Sequence, residues 1–446
     1  MRHRRLLLIL AAVGCSSSDA GSPDPDAAAA TVTITGPDSV AYPDSVQFTA
    51  AVYDSSGVLL PQATIQWSSS APGTLSVSAS GLVAFKAGGT AQLTAHSGPA
   101  QGSRNVVAVG LRFSAVSLGQ LTTCATTTAG KVYCWGPIVL GGTVPAPALI
   151  PFSTPMTQLT AGLEVGSPPT VCGLSAAGGL YCWKSPAALA TSLATPASGI
   201  DVAGRGGHAC VVASGGQAYC WGDNSLGQLG TETPPQNHDL PTAVSGGLSF
   251  TSVTAGINHT CAVASSAAYC WGSNSWGQLG AVIQPRADAP TAVGGGIAFR
   301  VLGGGTEHTC GIAVDSLVYC WGRGTDGQLG TGSTAAVSLP TTTAGGRHAA
   351  ALAVGTQHTC AITAAGSAYC WGANFAGQLG SGSVASDSIP VPVSGGLQLR
   401  KIAAGGGHTC GITSAQVLYC WGSNQFGQLG HVGVASSSTP IMVDGQ

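Results

Sequence analysis

Charge is scarce in this 446-residue chain, for only 7% of its residues are Asp, Glu, Lys or Arg and the formal net charge is −2. So few basic residues leave no electrostatic footprint for nucleic acid. The 17 acidic residues never gather in the later part of the chain as a catalytic carboxylate pair would. His-Glu-x-x-His, Gly-x-Ser-x-Gly, a lysine-bearing phosphate loop and a recurring Asp-rich calcium loop are all missing. The chain therefore reads as a non-enzyme without metal or cofactor. Beyond residue 13, no hydrophobic run approaches the roughly twenty residues that a membrane-spanning helix needs.

The chain opens with five residues rich in base (MRHRR), eight apolar residues (6–13) and then Gly14-Cys15. This is the layout of a signal peptide, with an apolar stretch too short to cross a bilayer, so export is expected. Ala12-Val13-Gly14-Cys15 resembles the bacterial lipobox, in which the cysteine becomes a lipidated N-terminus, although Ala12 stands where Leu is usual. The resemblance implies lipidation at Cys15. Residues 16–30 (SSSDAGSPDPDAAAA) have the composition of a disordered tether. Ser16, rather than Asp, after the cysteine resembles the pattern sorted to the outer membrane. The expected location is thus the outer membrane or cell surface, with a lipid anchor as the sole membrane attachment.

The other fourteen cysteines form seven pairs with eight or nine residues between partners: Cys124 with Cys134, Cys172 with Cys182, Cys210 with Cys220, Cys261 with Cys270, Cys310 with Cys320, Cys360 with Cys370, and Cys410 with Cys420. In an exported chain, even cysteines imply disulfides. Pairing Cys360 with Cys370 places Thr363 opposite Ser367 around a three-residue loop ending in Gly366, a common hairpin geometry. Cys261 still faces Cys270 when that loop shrinks to Ser265-Ser266. Each pair is expected to staple one hairpin, contributing at most about 2–3 kcal/mol because the closed loop is short. The first cysteines of the last five pairs follow at intervals of 51, 49, 50 and 50 residues, a period that signals a propeller or a solenoid.

Residues 31–110 carry no cysteine and alternate short apolar runs with turn signals, predicting about seven strands in a β-sandwich with Trp67 as its central core residue. The series Asp54-Ser-Ser-Gly57, Trp67-Ser-Ser-Ser70, Gly81-Leu-Val83 and Gly88-Gly-Thr-Ala91 resembles a bacterial immunoglobulin-like domain of the second group. That resemblance implies a stalk or adhesion module.

From residue 111 to 446 the repeats take over: WGDNSLGQLG (221–230), WGSNSWGQLG (271–280), WGRGTDGQLG (321–330), WGANFAGQLG (371–380) and WGSNQFGQLG (421–430), each preceded by a block such as AAGGGHTCGITSAQVLYCWG (403–422). Together these resemble the repeat of the regulator of chromosome condensation family, which implies a seven-bladed β-propeller and an all-β chain. The first two repeats depart, as WGPIVLGG (135–142) and WKSPAALA (183–190). A histidine stands two residues before a cysteine at His208, His259, His308, His358 and His408, but Thr122 and Thr170 replace it in the first two repeats although both keep their cysteines. His-x-Cys plus one cross-strand Cys supplies three ligands where structural zinc wants four. The resemblance implies a structural histidine, bonded to backbone at the Gly-rich turn.

The chain ends on a Pro-containing strand, Thr439–Val443, and residues 112–136 begin with a hairpin, which predicts one blade shared between the two ends. Candidate partner-binding positions are the variable loop residues Leu226, Trp276, Asp326, Phe375 and Phe426, which either form an arc on one face or fill gaps between blades. The expected function is a monomeric surface scaffold binding a protein or surface glycan. An exported enzyme inhibitor and a guanine-nucleotide exchange factor are the alternatives, the latter at odds with export.

Overall fold

The computed structural model describes residues 28–138, 142–162, 170–184, 187–190, 197–203, 207–231, 236–281 and 285–446. Cys15, the signal peptide and most of the tether lie outside them. The chain divides into two units, one ending at Gly110 and the other beginning at Leu111.

The first unit is built only of strands. A four-stranded sheet, in the order Ser39–Ala41, Ala100–Val109, Gly89–Ser97, Gln66–Ser69, faces a three-stranded one of Ser45–Gln47, Leu82–Phe85 and Leu75–Val77, while Thr31–Thr35 pairs with Thr49–Tyr53. Alternation of apolar and polar residues, as in Ala91, Leu93 and Ala95, turns one face of each sheet inward. Phe48, Leu75, Val83, Leu93 and Val106 are wholly buried there. Trp67 departs from expectation: it packs against two apolar clusters yet stays partly exposed, and Phe48 holds the centre. Trp67 bridges the two clusters from a half-buried position, while the wholly buried Phe48 fills the first.

The second unit is a propeller of seven four-stranded antiparallel sheets, over residues 113–150, 156–190, 197–243, 252–292, 299–342, 351–392 and 399–442, here blades 1 to 7. Inner strands of successive blades lie side by side, and Phe113–Leu118 of blade 1 lies beside Leu399–Ala404 of blade 7, which closes the ring. Each blade is continuous in sequence, so the expectation of a shared blade fails. The Pro-containing strand is the outer strand of its own blade: Ser436–Met442 pairs with Leu418–Ser423, and blade 1 has its own outer strand, Gly142–Ile150. Proline lacks an N–H and so suits this exposed edge.

Every cysteine pair read from the spacing is a disulfide that joins the second and third strands of one blade. In chain order the bridges are Cys124 to Cys134, Cys172 to Cys182, Cys210 to Cys220, Cys261 to Cys270, Cys310 to Cys320, Cys360 to Cys370 and Cys410 to Cys420, with Cα–Cα distances of 4.0–4.1 Å. The two cysteines of each bridge are directly opposed in register. Blade 4 turns on Ser265 and Ser266, both with positive φ, while the longer loop of blade 6 places Gly366 at φ 87°. The pairs sit in the cores between blades, together with Trp271, Trp321, Trp371 and Trp421.

The last glycine of Gly-Gln-Leu-Gly explains itself by close approach. Gly380 has φ +70°, and a Cβ there would stand 2.7 Å from Trp421 Nε1 of the next blade. Gly380→Ala is therefore expected to destabilise the chain by about 2 kcal/mol or more, combining left-handed strain with overpacking. Gly382→Ala, at φ +88° with nothing within 4 Å, should carry only the strain, about 1–2 kcal/mol. Equal losses in denaturant unfolding would refute the packing account.

Candidate protein-binding face

The Trp-Gly to Gly-Gln-Leu-Gly loops and the Gly-rich turns emerge on the same side of the ring, because one joins the third strand to the outer strand and the other joins the inner strand to the second. In four of these loops the asparagine side chain accepts the leucine N–H, as in Asn424 Oδ1 with Leu429 at 2.8 Å. The glutamine Oε1 accepts the N–H two residues earlier, from Leu226, Trp276, Asp326, Ala376 or Phe426, at 2.8–2.9 Å. Those side-chain bonds leave the glutamine backbone carbonyl free to point into the next blade.

Two donors from that blade meet it. The Gln228 carbonyl accepts Trp271 Nε1–H at 2.9 Å and the Thr260 hydroxyl at 2.7 Å, and His208 Nε2 lies 2.8 Å from the same hydroxyl. The hydroxyl has one proton, which it gives to the carbonyl, so His208 must donate from Nε2. The arrangement recurs for His259, Thr309, Trp321 and Gln278, then for His308, Thr359, Trp371 and Gln328, then for His358, Thr409, Trp421 and Gln378. Its fifth copy crosses the ring closure, where His408 meets Thr123 at 2.8 Å and Trp135 reaches the Gln428 carbonyl at 2.9 Å.

These contacts correct the reading of the histidine, whose Nε2 bonds a neighbouring blade's hydroxyl rather than backbone. The Gly-rich turn has a steric purpose, since a Cβ on Gly256, Gly305, Gly355 or Gly405 would overlap the imidazole. Sequence reasoning also missed the threonine, although a signal was present. Threonine precedes the first cysteine of a blade at positions 123, 260, 309, 359 and 409, but Val171 and Ala209 replace it in blades 2 and 3. Those two blades are the ones that follow the repeats with Thr122 and Thr170 in the histidine's place. Donor and acceptor vanish together, and only a cyclic order gives Thr123 its partner.

The five candidate binding residues divide. Leu226 and Asp326 are half-buried, whereas Trp276 is 39% exposed, Phe426 41% and Phe375 69%. Phe375 is not equivalent to the others. Ala376 makes the bond to glutamine, and Phe375 occupies the place of Ser225, Ser275 and Thr325, leaning toward Gly407 of blade 7. Trp276 faces the Arg323 guanidinium of blade 5 at 5.4 Å, and Arg323 pairs with Glu307 at 2.9 Å. The aromatic arc is thus interrupted at blade 5 by a charged cluster that includes Asp326, 4.0 Å from Arg323. Val384, Val432 and Val434 add exposed apolar surface on nearby loops and carried no repeat signal.

The sequence model of the regulator of chromosome condensation (RCC1) repeat matches residues 215–263, 315–362, 365–412 and 417–445, and a second model of that repeat matches 349–378 and 399–428. The propeller thus carries repeats of the regulator of chromosome condensation (RCC1) type. No curated protein matches the chain in sequence. Among solved structures, human WBSCR16 is similar over 76% of this chain and 96% of its own, at 18% identity and TM-score 0.61. Prp20p from Saccharomyces cerevisiae is similar over 75% of this chain and 87% of its own, at 15% identity and TM-score 0.61. Yeast RCC1 (Prp20) bound to Kap60 is similar over 75% and 85%, at 14% identity and TM-score 0.59. At these identities the RCC1 likeness is one of fold.

Burial holds two of the clamp histidines well below the ordinary imidazole range: His208 is pushed down to about 4 and His259 to about 3, the latter also by the charge His208 would carry. Unfolded, both take up a proton near pH 6.5. Between that pH and about 4 the unfolded RCC1 propeller binds protons that the folded one refuses, so stability falls as pH falls, by about 1.4 kcal/mol per pH unit for each histidine. Denaturant unfolding of the oxidised chain between pH 7 and 5 should show this slope, and His259→Gln should reduce it by one proton. A flat profile would refute the buried, neutral assignment.

Proposed function

We propose that this chain is an exported, lipid-anchored, non-catalytic binding protein, with the propeller as head and residues 31–110 as an immunoglobulin-like stalk. The head takes a protein partner on the loop side. One observation carries the reading: the tryptophans of the Tyr-Cys-Trp triplets in blades 1 and 4–7 are buried, yet Trp276, Phe375 and Phe426 stand exposed on the loops, Trp276 against the Arg323 guanidinium. Large aromatic rings next to a guanidinium are the side chains that concentrate binding energy at protein interfaces. Polar chemistry elsewhere is committed to the scaffold, with fourteen cysteines in disulfides and the five repeat histidines in inter-blade contacts.

Protein binding by this kind of propeller has parallels: the Prp20p structure is described with its binding to Gsp1p and histones, and another with Kap60. The signal-like residues 1–15 support export, and Cys15 supplies the anchor.

Capture from outer-membrane and secreted fractions on the purified chain tests the assignment. The variant Trp276→Ala, Phe375→Ala, Phe426→Ala should lose at least about tenfold of the capture, because each exposed aromatic at an interface centre is worth upward of about 1 kcal/mol. Its Tm should match the parent, since the rings are exposed. Capture undiminished by the triple change would overturn the assignment to this face.

A further inference from the structure

The near-zero net charge hides a separation by side. In every blade the inner strand starts, the stapled hairpin turns and the outer strand ends at one edge. Backbone bonds link these edges around the ring: Phe299 N to Ser266 O, Ala349 N to Ser316 O, Leu399 N to Gly366 O and Phe113 N to Gln416 O. On this hairpin side stand Arg112 and Lys131 of blade 1, Arg300 of blade 5, Arg347 entering blade 6, and Arg400 and Lys401 of blade 7. All but the half-buried Arg347 are exposed. Among the described residues none of the six is in an ion pair. Arg300 bonds the Ala349 carbonyl, and Arg347 lies 4.0 Å from the Tyr369 ring centroid.

The described carboxylates on that side are Asp315 and Asp444, the second 2.8 Å from the His431 ring and accepting the Val432 N–H. The loop side is the reverse. Asp223, Asp239, Asp288, Glu307, Asp326 and Asp387 stand there against Arg286 and Arg323, which are both paired to carboxylates.

We propose that the hairpin side docks on the phosphates of an anionic lipid surface. The cations are spread over blades 5, 6, 7 and 1, neighbours in the ring, instead of converging in one pocket, which suits a planar array of phosphates. The exposed aromatics of the described propeller, Trp276, Phe375 and Phe426, all lie on the opposite side, so this side lacks the stacking platform of a single-stranded nucleic acid site. Between blades 6 and 7 a cleft of about 340 Å³, lined by Thr363, Gly366, Gln398, Arg400 and Ser414, offers room for one headgroup. Each basic residue near an anionic bilayer strengthens binding by about fivefold. The inference rests on the exported, lipid-anchored reading, and it gives the anchored head an orientation, with loops outward.

The test uses the full chain carrying Cys15→Ser, which removes attachment through the anchor, in co-sedimentation with vesicles. Binding to phosphatidylcholine vesicles containing phosphatidylglycerol should exceed binding to pure phosphatidylcholine by at least about tenfold and disappear in about 0.5 M salt. Adding Arg112→Glu, Arg400→Glu and Lys401→Glu, all at exposed positions, should abolish the difference without moving Tm, whereas Trp276→Ala should preserve it. Equal binding to both vesicles, or undiminished binding of the charge-reversed variant, would overturn the proposal. Polyglutamate bound as tightly as the anionic vesicles would overturn it in favour of an acidic polypeptide. Because partner capture is read on the opposite face, either result can fail alone.

Discussion

At five of its seven interfaces the propeller depends on one peptide carbonyl. A Gly-Gln-Leu-Gly loop turns its glutamine carbonyl toward the following blade, and a buried indole N–H and a buried threonine hydroxyl both donate to it. The histidine behind the threonine completes a chain of donors, all of them buried. A buried carbonyl left unmatched costs roughly 1–3 kcal/mol, so the loop, the indole and the hydroxyl are bound together as a set. Gly-Gln-Leu-Gly is thus a joint between blades, and its abundance says more about assembly than about ligand.

That dependence explains what was legible in the sequence. The cysteine pairs, with Gly366 and Ser265-Ser266 setting two loop lengths, specify hairpins because side-chain alternation fixes which residues can oppose one another. The fifty-residue period specified a ring or solenoid, and the loss of Thr at Val171 and Ala209 held the information needed to close it. The ring closure was misread because a Pro-containing strand at the chain end is equally compatible with being exchanged or being an outer edge; only pairing partners settle that. Trp67 bridges two apolar clusters while Phe48 is the wholly buried ring, a division that strand alternation alone does not reveal.

The binding face was only partly legible. Periodicity exposes which residues repeat, and a ligand site is built from those that do not, so Phe375 and the Arg323–Glu307 pair depend on small offsets and on cross-blade distances. The division of charge between sides was invisible to a net count. It emerges once antiparallel order assigns Arg112, Arg300, Arg400 and Lys401 to one edge and the carboxylates of blades 3 to 6 chiefly to the other. With disulfides and clamps holding the interior, the two sides are free to differ, which is how one rigid ring serves an outward partner and an inward surface.

The most direct measurement is a double-mutant cycle at the ring closure, with His408→Gln, Thr123→Val and the pair compared by denaturant unfolding of the oxidised chain. The account predicts a coupling of about 1 kcal/mol or more between residues 285 positions apart in sequence. Strictly additive losses would mean that the first and last blades do not meet through this clamp, and the closed ring would have to be abandoned.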